Sequence, residues 1–388
     1  MKNNWPTKKL GEVAEAFSGT WGPPDSSGTA VLRSTNFNNN GTILWNDVAY
    51  RSVPSNKVDQ LALNQGDILL EKSGGSPAQP VGRVVYFEQS KNEKIVYGNF
   101  ISKLQVKNKD MEPKFLFYYL LYFYKTGNIN KYQSQTTGIR NLHLKDYLGI
   151  EIPKFDTNIQ KKIVERLNAI RKAQELCDTQ IQKNEEFFES LFISSIVNGI
   201  DKKLGELFDR QCKTILPIKT PNKEFNFIGL ENIESNTGNL INFQVNNGGK
   251  IKSNKFIFQK GDVLYGKLRP YLNKVWLAGF NGICSTDIWV LRPNSKKIDA
   301  TILSTLVKSN VVLQRMSSIM TGTNLPRANP KSFDSLIVKI PTLKNQKELT
   351  KKLDATQDYK KLLLKQKSLL KELFDSVLYK SMNGEMDN

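Results

Sequence analysis

The chain has 388 residues, 39% of them hydrophobic and 24% charged, which suits a globular protein of two or three domains and excludes wholesale disorder. Lysine and arginine total 56 against 37 acidic residues, so the formal net charge is +19 and the chain attracts polyanions such as a phosphate backbone. A lysine- and asparagine-rich genome would give the same balance without such a partner, so charge alone does not assign a function. Residues 115–124, the most apolar stretch, are about half of what a membrane span needs. The start, Met1-Lys2-Asn3-Asn4-Trp5-Pro6, lacks the apolar run of a secretory signal. Cys177, Cys212 and Cys284 are too scattered for a disulfide framework. A cytoplasmic protein with reduced thiols and no membrane partner is expected.

In chain order, Lys9-Leu10-Gly11-Glu12-Val13 opens the pattern, and short strands are predicted at 68–70, 83–87 and 95–96. A helix through 115–124 has Pro113 at its first turn. An apolar run ending in Ile152-Pro153 precedes a long amphipathic helix from Ile159 to about Val197. One heptad track of that helix holds Ile163, Ile170, Cys177, Asn184 and Leu191, and the other holds Leu167, Gln174, Ile181 and Phe188. The second half offers strands at 263–265, 274–277 and 288–291 and a helix near 300–309. A second long helix then carries Leu349, Thr356, Leu363, Leu370 and Val377 on one track, with Leu353, Lys360, Lys367 and Phe374 between them. Forty helical residues span about 60 Å, the dimension of a strut.

The two halves echo each other at a spacing of about 190 residues, the signature of an internal repeat. Lys9-Leu10-Gly11-Glu12 recurs as Lys203-Leu204-Gly205-Glu206, and Gly66-Asp67-Ile68-Leu69 as Gly261-Asp262-Val263-Leu264. Thr137-Gly138 recurs as Thr321-Gly322, and Ile152-Pro153 as Ile340-Pro341. Gln160-Lys161 recurs as Gln346-Lys347, and both long helices end in Asn-Gly, at Asn198-Gly199 and Asn383-Gly384. Strands and helices without steady alternation predict an α+β fold in each repeat. The segments are 1–155 and 201–343 for the two globular parts, and 156–200 and 344–388 for the helices.

Catalytic signals fail on inspection. Gly261-x4-Gly266-Lys267 approaches a phosphate-binding loop, but Leu268 offers no hydroxyl and the intervening residues read as a strand. Asn329-Pro330-Lys331-Ser332-Phe333 lacks the second proline and adjacent aromatic of an adenine methyltransferase loop. Glu112-Pro113-Lys114 lacks a partner aspartate for a metal-dependent nuclease. The single histidine, His143, reads as a surface or turn residue, and no metal site is expected.

Two loop regions per repeat carry chemistry suited to DNA. Lys72, Ser73, Gly74, Gly75 and Ser76 follow a strand and lead to Gln79 and Arg83. Glycines let backbone approach a duplex, Lys and Ser serve phosphates, and Gln and Arg pair with base edges. The corresponding stretch of the second repeat supplies Lys267, Arg269, Tyr271, Asn273 and Lys274. The other region supplies Gln135, Thr136, Thr137, Arg140 and Asn141, with Thr321, Thr323, Asn324 and Arg327 as its counterpart. Each alone is an ordinary solvated turn; matched loops on a basic chain favour recognition. Arg83 and Arg269 are the arginines expected to reach bases.

Carried by these duplicated landmarks, the whole chain resembles the specificity subunit of Type I restriction–modification systems. The resemblance implies two target-recognition domains separated by two long helices paired as an antiparallel coiled coil, with each domain reading half of a split double-stranded DNA site. It implies no catalysis by this chain. It also implies docking of two methyltransferase subunits holding S-adenosylmethionine, and of restriction subunits that use ATP and Mg. Dissimilar loops imply an asymmetric target. The polar residues Gln174, Asn184, Lys360 and Lys367 depart from an apolar seam. Two other readings share these features: the specificity chain of a two-component Type II enzyme, and a coiled-coil assembly scaffold that reads no sequence.

Overall fold

The repeat landmarks coincide with matching hydrogen bonds in the two halves. In the computed structural model, which describes residues 5–76, 79–88, 93–136, 139–318 and 326–385 (without the side chains of 135 and 136), the opening of each repeat pairs with its close. Strand Thr7–Lys9 is antiparallel to Glu151–Pro153, and strand Ile200–Lys203 is antiparallel to Ile337–Ile340. Leu10 N then donates to the Ile150 carbonyl, and Leu204 N donates to the Leu336 carbonyl. Both leucines are fully buried, and enclosing such a side chain contributes about 1.5–3 kcal/mol.

Each repeat builds a four-stranded antiparallel sheet of the same order. In the first it runs Ala14–Ser18, Ile101–Val106, Ile68–Glu71, Val84–Tyr86; in the second, Phe208–Gln211, Ile288–Pro293, Val263–Gly266, Val275–Leu277. The Gly-Asp pair turns the chain into the third strand. Gly66 and Gly261 take φ of +100° and +90°, a region side chains avoid. Asp67 accepts from Asn64 N and Asp262 from Gln259 N, each at 2.8 Å. Asp67 faces Lys103 at 3.6 Å, and burial pushes its carboxyl above the usual range. Asp262 instead holds Arg292 through two 2.8 Å bonds.

A second, smaller sheet completes each repeat. Pro24–Leu32 lies between antiparallel Ala49–Arg51 and parallel Ile95–Tyr97. In the second repeat, Glu224–Ile228 is likewise parallel to Gly282–Cys284, within five strands rather than three. A helix covers each main sheet: Pro113–Lys125 in the first repeat and Ala300–Lys308 in the second. The expected α+β fold is thus observed in each repeat. Among the described residues no helix is long and apolar enough to cross a membrane.

The two long helices are Thr157–Val197 and Leu343–Met382. The chain divides into two compact units, Met1–Asp178 with Gln366–Asn388, and Thr179–Lys365, so each unit holds half of each helix. In the first unit, Ile163 and Leu167 of one helix and Phe374, Leu378 and Met382 of the other enter the same core as Phe115 and Tyr118. In the second, Phe192 and Ile196 join Leu349, Leu353 and Ile302.

The helices run antiparallel, and their polar seam residues all have partners. Gln174 donates to the Leu370 carbonyl (3.1 Å) and Lys367 pairs with Asp178 (2.6 Å) in the first unit. Asn184 donates to the Thr356 carbonyl (3.1 Å) and Lys360 pairs with Glu185 (2.7 Å) in the second. Seam amides of this kind specify register at some cost in stability.

One buried glutamine near the start of each long helix ties it to its unit. Gln160 accepts from Glu112 N at 2.9 Å and donates to the Asp110 and Phe155 carbonyls at 2.8 Å. Gln346 accepts from Asp299 N at 2.8 Å and donates to the Lys297 and Pro341 carbonyls at 3.0 and 2.9 Å.

Candidate nucleic-acid interface

The third strand of each main sheet leads out of the core at a lysine. In the first unit Ile68–Glu71 passes through Lys72 into strand Ser73–Gly75. That strand pairs with Ile139–Leu142, which in turn pairs with Gln133–Thr136. Two loop regions separated by some sixty residues thereby form one three-stranded sheet. In the second unit, Lys267 follows Val263–Gly266, Arg269 N donates to the Pro326 carbonyl at 2.8 Å, and Leu268 bridges Arg327. The junctions match bond for bond. Leu142 N donates to the Lys72 carbonyl and Ala328 N donates to the Lys267 carbonyl, both at 2.8 Å. Within each unit the two loop regions singled out in the sequence lie side by side.

Individual side chains differ in what they can still reach. Lys72 donates to the Ser18 hydroxyl (3.0 Å), and burial holds its ammonium below its ordinary pKa. Ser73 donates to the Asn141 amide oxygen at 2.6 Å, so these two candidates partner each other. Gly74 is exposed at φ +102°, and Gly75 is packed so closely on Val81 that a Cβ would lie 2.6 Å from its Cγ1. Ser76 and Gln79 exchange reciprocal main-chain bonds. Arg140 is half-buried, and its Nε has no hydrogen-bond partner among the described residues.

Arg83 requires a correction. Its guanidinium holds Glu71 through two bonds of 2.8 and 2.7 Å and donates to the Phe37 and Ser34 carbonyls. Turned to face it, the Gln79 amide oxygen lies 2.7 Å from Nη1. Glu71 is only 1% exposed, and an unpaired carboxylate there would be costly, so Arg83 neutralises a buried charge rather than facing a base.

Asn273 and Lys274 require the same correction. Asn273 is buried and donates to the Lys308 carbonyl at 2.9 Å, while Lys274 donates to the Leu230 carbonyl at 2.7 Å. Their work is to shape the loop. Arg269 (φ 51°) and Asn273 (φ 49°) are both left-handed and bracket the turn Pro270–Leu272. A non-glycine residue in that region costs about 1–2 kcal/mol, and here it leaves Arg269 and Tyr271 exposed. Lys267 is half-buried, and exposed Arg327 lies 3.9 Å from Asp287. Thr137, Thr321, Thr323 and Asn324, and the side chains of Gln135 and Thr136, lie outside the described residues.

A third turn reaches the same place and carries no echo in the sequence. Lys72 N donates to the Phe100 carbonyl, and Lys267 N donates to the Asp287 carbonyl. Ile101 N closes the first turn on Gly98 O, and Ile288 N closes the second on Ser285 O, each at 3.0 Å. A large apolar residue set among Gly98, Asn99 and the turn was the available signal. His143 is exposed at the start of a short helix. Gly266, the supposed second phosphate-loop glycine, sits in a strand.

The family of Type I restriction modification DNA specificity domains matches this chain twice, over residues 2–186 and 200–372. The specificity subunit of Escherichia coli Type I restriction enzyme EcoDI is 31% identical over 185 residues, 46% of this chain and 41% of that relative. The MjaVIII specificity subunit of Methanocaldococcus jannaschii is 21% identical over 363 residues, 84% of this chain and 80% of the relative. Among solved structures, the Type I restriction–modification S subunit of M. genitalium superposes with a TM-score of 0.56 at 15% identity, covering 98% of this chain and 97% of that one. A chain from a structure addressing assembly and conformational transition of the type I system gives 0.59 at 15% identity, covering 99% of each. At these identities the structural likeness speaks to the fold.

Proposed function

Since the chain belongs to the Type I restriction modification DNA specificity family and carries its domain twice, we propose that it reads a split, asymmetric DNA target and directs methyltransferase and restriction subunits to it. The observation that carries this reading is the matched pair of loop clusters. They grow from the same strand end in both units, yet present Gly74 and Arg140 in one and Arg269, Tyr271 and Arg327 in the other. Equal frames with unequal tips suit two different half-sites, and a net charge of +19 suits the phosphate backbone between them.

In this reading, 1–155 and 201–343 are the recognition domains, and 156–200 and 344–388 are the helices that set the spacing between half-sites. The chain performs no chemistry itself. Two methyltransferase subunits bring S-adenosylmethionine, the restriction subunits bring ATP and Mg, and the complex works in the cytoplasm. Methylome sequencing of the host tests it. The expected result is a bipartite motif with modified adenines on both strands that disappears when this gene is deleted; survival of every motif after deletion overturns the reading.

A further inference from the structure

Resting on that reading, we propose that the third turn of each unit supplies a base-reading side chain: Phe100 for a thymine methyl in one half-site, and Asp287 with Arg327 for a G·C pair in the other. The two positions are equivalent by three main-chain bonds. Gly98 N and Ser285 N donate to the Leu32 and Ile228 carbonyls, Ile101 N and Ile288 N close the turns, and the carbonyls of Phe100 and Asp287 each receive the N–H of Lys72 or Lys267. Backbone geometry is thus constant where side-chain chemistry changes from apolar to acidic.

Phe100 is 58% exposed. Single exposed apolar residues are common, but the surroundings of this one are unusual. Its ring lies beside the exposed, positive-φ Gly74, where a Cβ would sit 3.9 Å from Cδ2 in ordinary van der Waals contact. Trp21, 42% exposed, borders the same turn at Gly98, and the Arg51 guanidinium stacks 4.2 Å above the indole. An apolar face edged by a guanidinium fits a base step flanked by a phosphate, where a phenyl ring meets the thymine methyl.

The second unit offers polar chemistry at the equivalent place. Asp287 and Arg327 face each other at 3.9 Å, both solvent-accessible, without the short bidentate bonds that occupy Arg83. One such pair can serve both members of a G·C pair: arginine donates to guanine O6 and N7, and aspartate accepts from cytosine N4.

The test uses the full chain assembled with its methyltransferase subunits. Phe100→Ala is expected to relax the methylated motif at one thymine-bearing base pair of one half-site, and Asp287→Ala at one G·C pair of the other. Phe100→Leu should retain much of the preference. Replacing that thymine by uracil in a target duplex should weaken wild-type binding about tenfold and leave Phe100→Ala binding unchanged. An unchanged motif in Phe100→Ala, relaxation in both halves, or uniform weakening at every sequence overturns the proposal while the split-site reading stands. A wild-type complex that yields no split motif overturns both.

Discussion

The two units share their interior and differ at their tips. Asn36 accepts from Arg33 N and donates to two carbonyls across its loop, and Asn232 does the same from Gly229 N. Asp67 and Asp262, then Gln160 and Gln346, repeat the pattern. Each of these buried side chains holds main-chain groups of its loop, so substitution leaves those groups without their partner. At the tips the side chains differ: Ser73-Gly74 stands opposite Leu268-Arg269, and Phe100 opposite Asp287. Duplication followed by divergence keeps what has a buried partner and varies what faces solvent.

That contrast can be broken most decisively at Arg83. Arg83→Ala leaves Glu71 buried without its cation and should cost about 3–5 kcal/mol. Hydrogen exchange of the full chain should localise the loss to the first unit; a change confined to base preference, with stability intact, would return Arg83 to the interface. Next come the duplicated glutamines. Gln160→Leu and Gln346→Leu should each cost about 2–3 kcal/mol in urea unfolding, and a large difference between them would mean that the two frames are not equivalent. Smallest in stability but largest in consequence for recognition is Arg269→Ala. It should shift unfolding by less than about 0.5 kcal/mol yet weaken binding to duplexes bearing one half-site by about 1–3 kcal/mol. Uniform weakening across all sequences would instead make Arg269 a phosphate contact.

Much of the scaffold was legible in residue order because its hydrogen bonds recur with it. Gly-Asp, Ile-Pro and Gln-Lys mark a positive-φ turn, a closing strand and a buried amide in both units. The heptad tracks also hold: Ile163, Leu167, Cys177, Leu349, Leu353 and Leu363 are buried, and the polar intruders find partners on the facing helix. The site was harder. An arginine before a strand looks the same whether it meets a base or a buried glutamate twelve residues away, and Glu71 gave no sign of its burial. Asn273 resembled a polar reader until its amide was found on the Lys308 carbonyl. The turn at Phe100 escaped notice because its counterpart is Asp287: repeats reveal what two copies share, and specificity is what they do not.

The division of the long helices between the units has a consequence for biosynthesis. The core of the first unit includes Phe374, Leu378 and Met382, whereas the last buried apolar residue of the second unit is Leu363. During vectorial translation the later-encoded unit therefore has all of its apolar partners out of the ribosome first. The N-terminal one waits for roughly twenty further codons, from Leu363 to Met382, to be read.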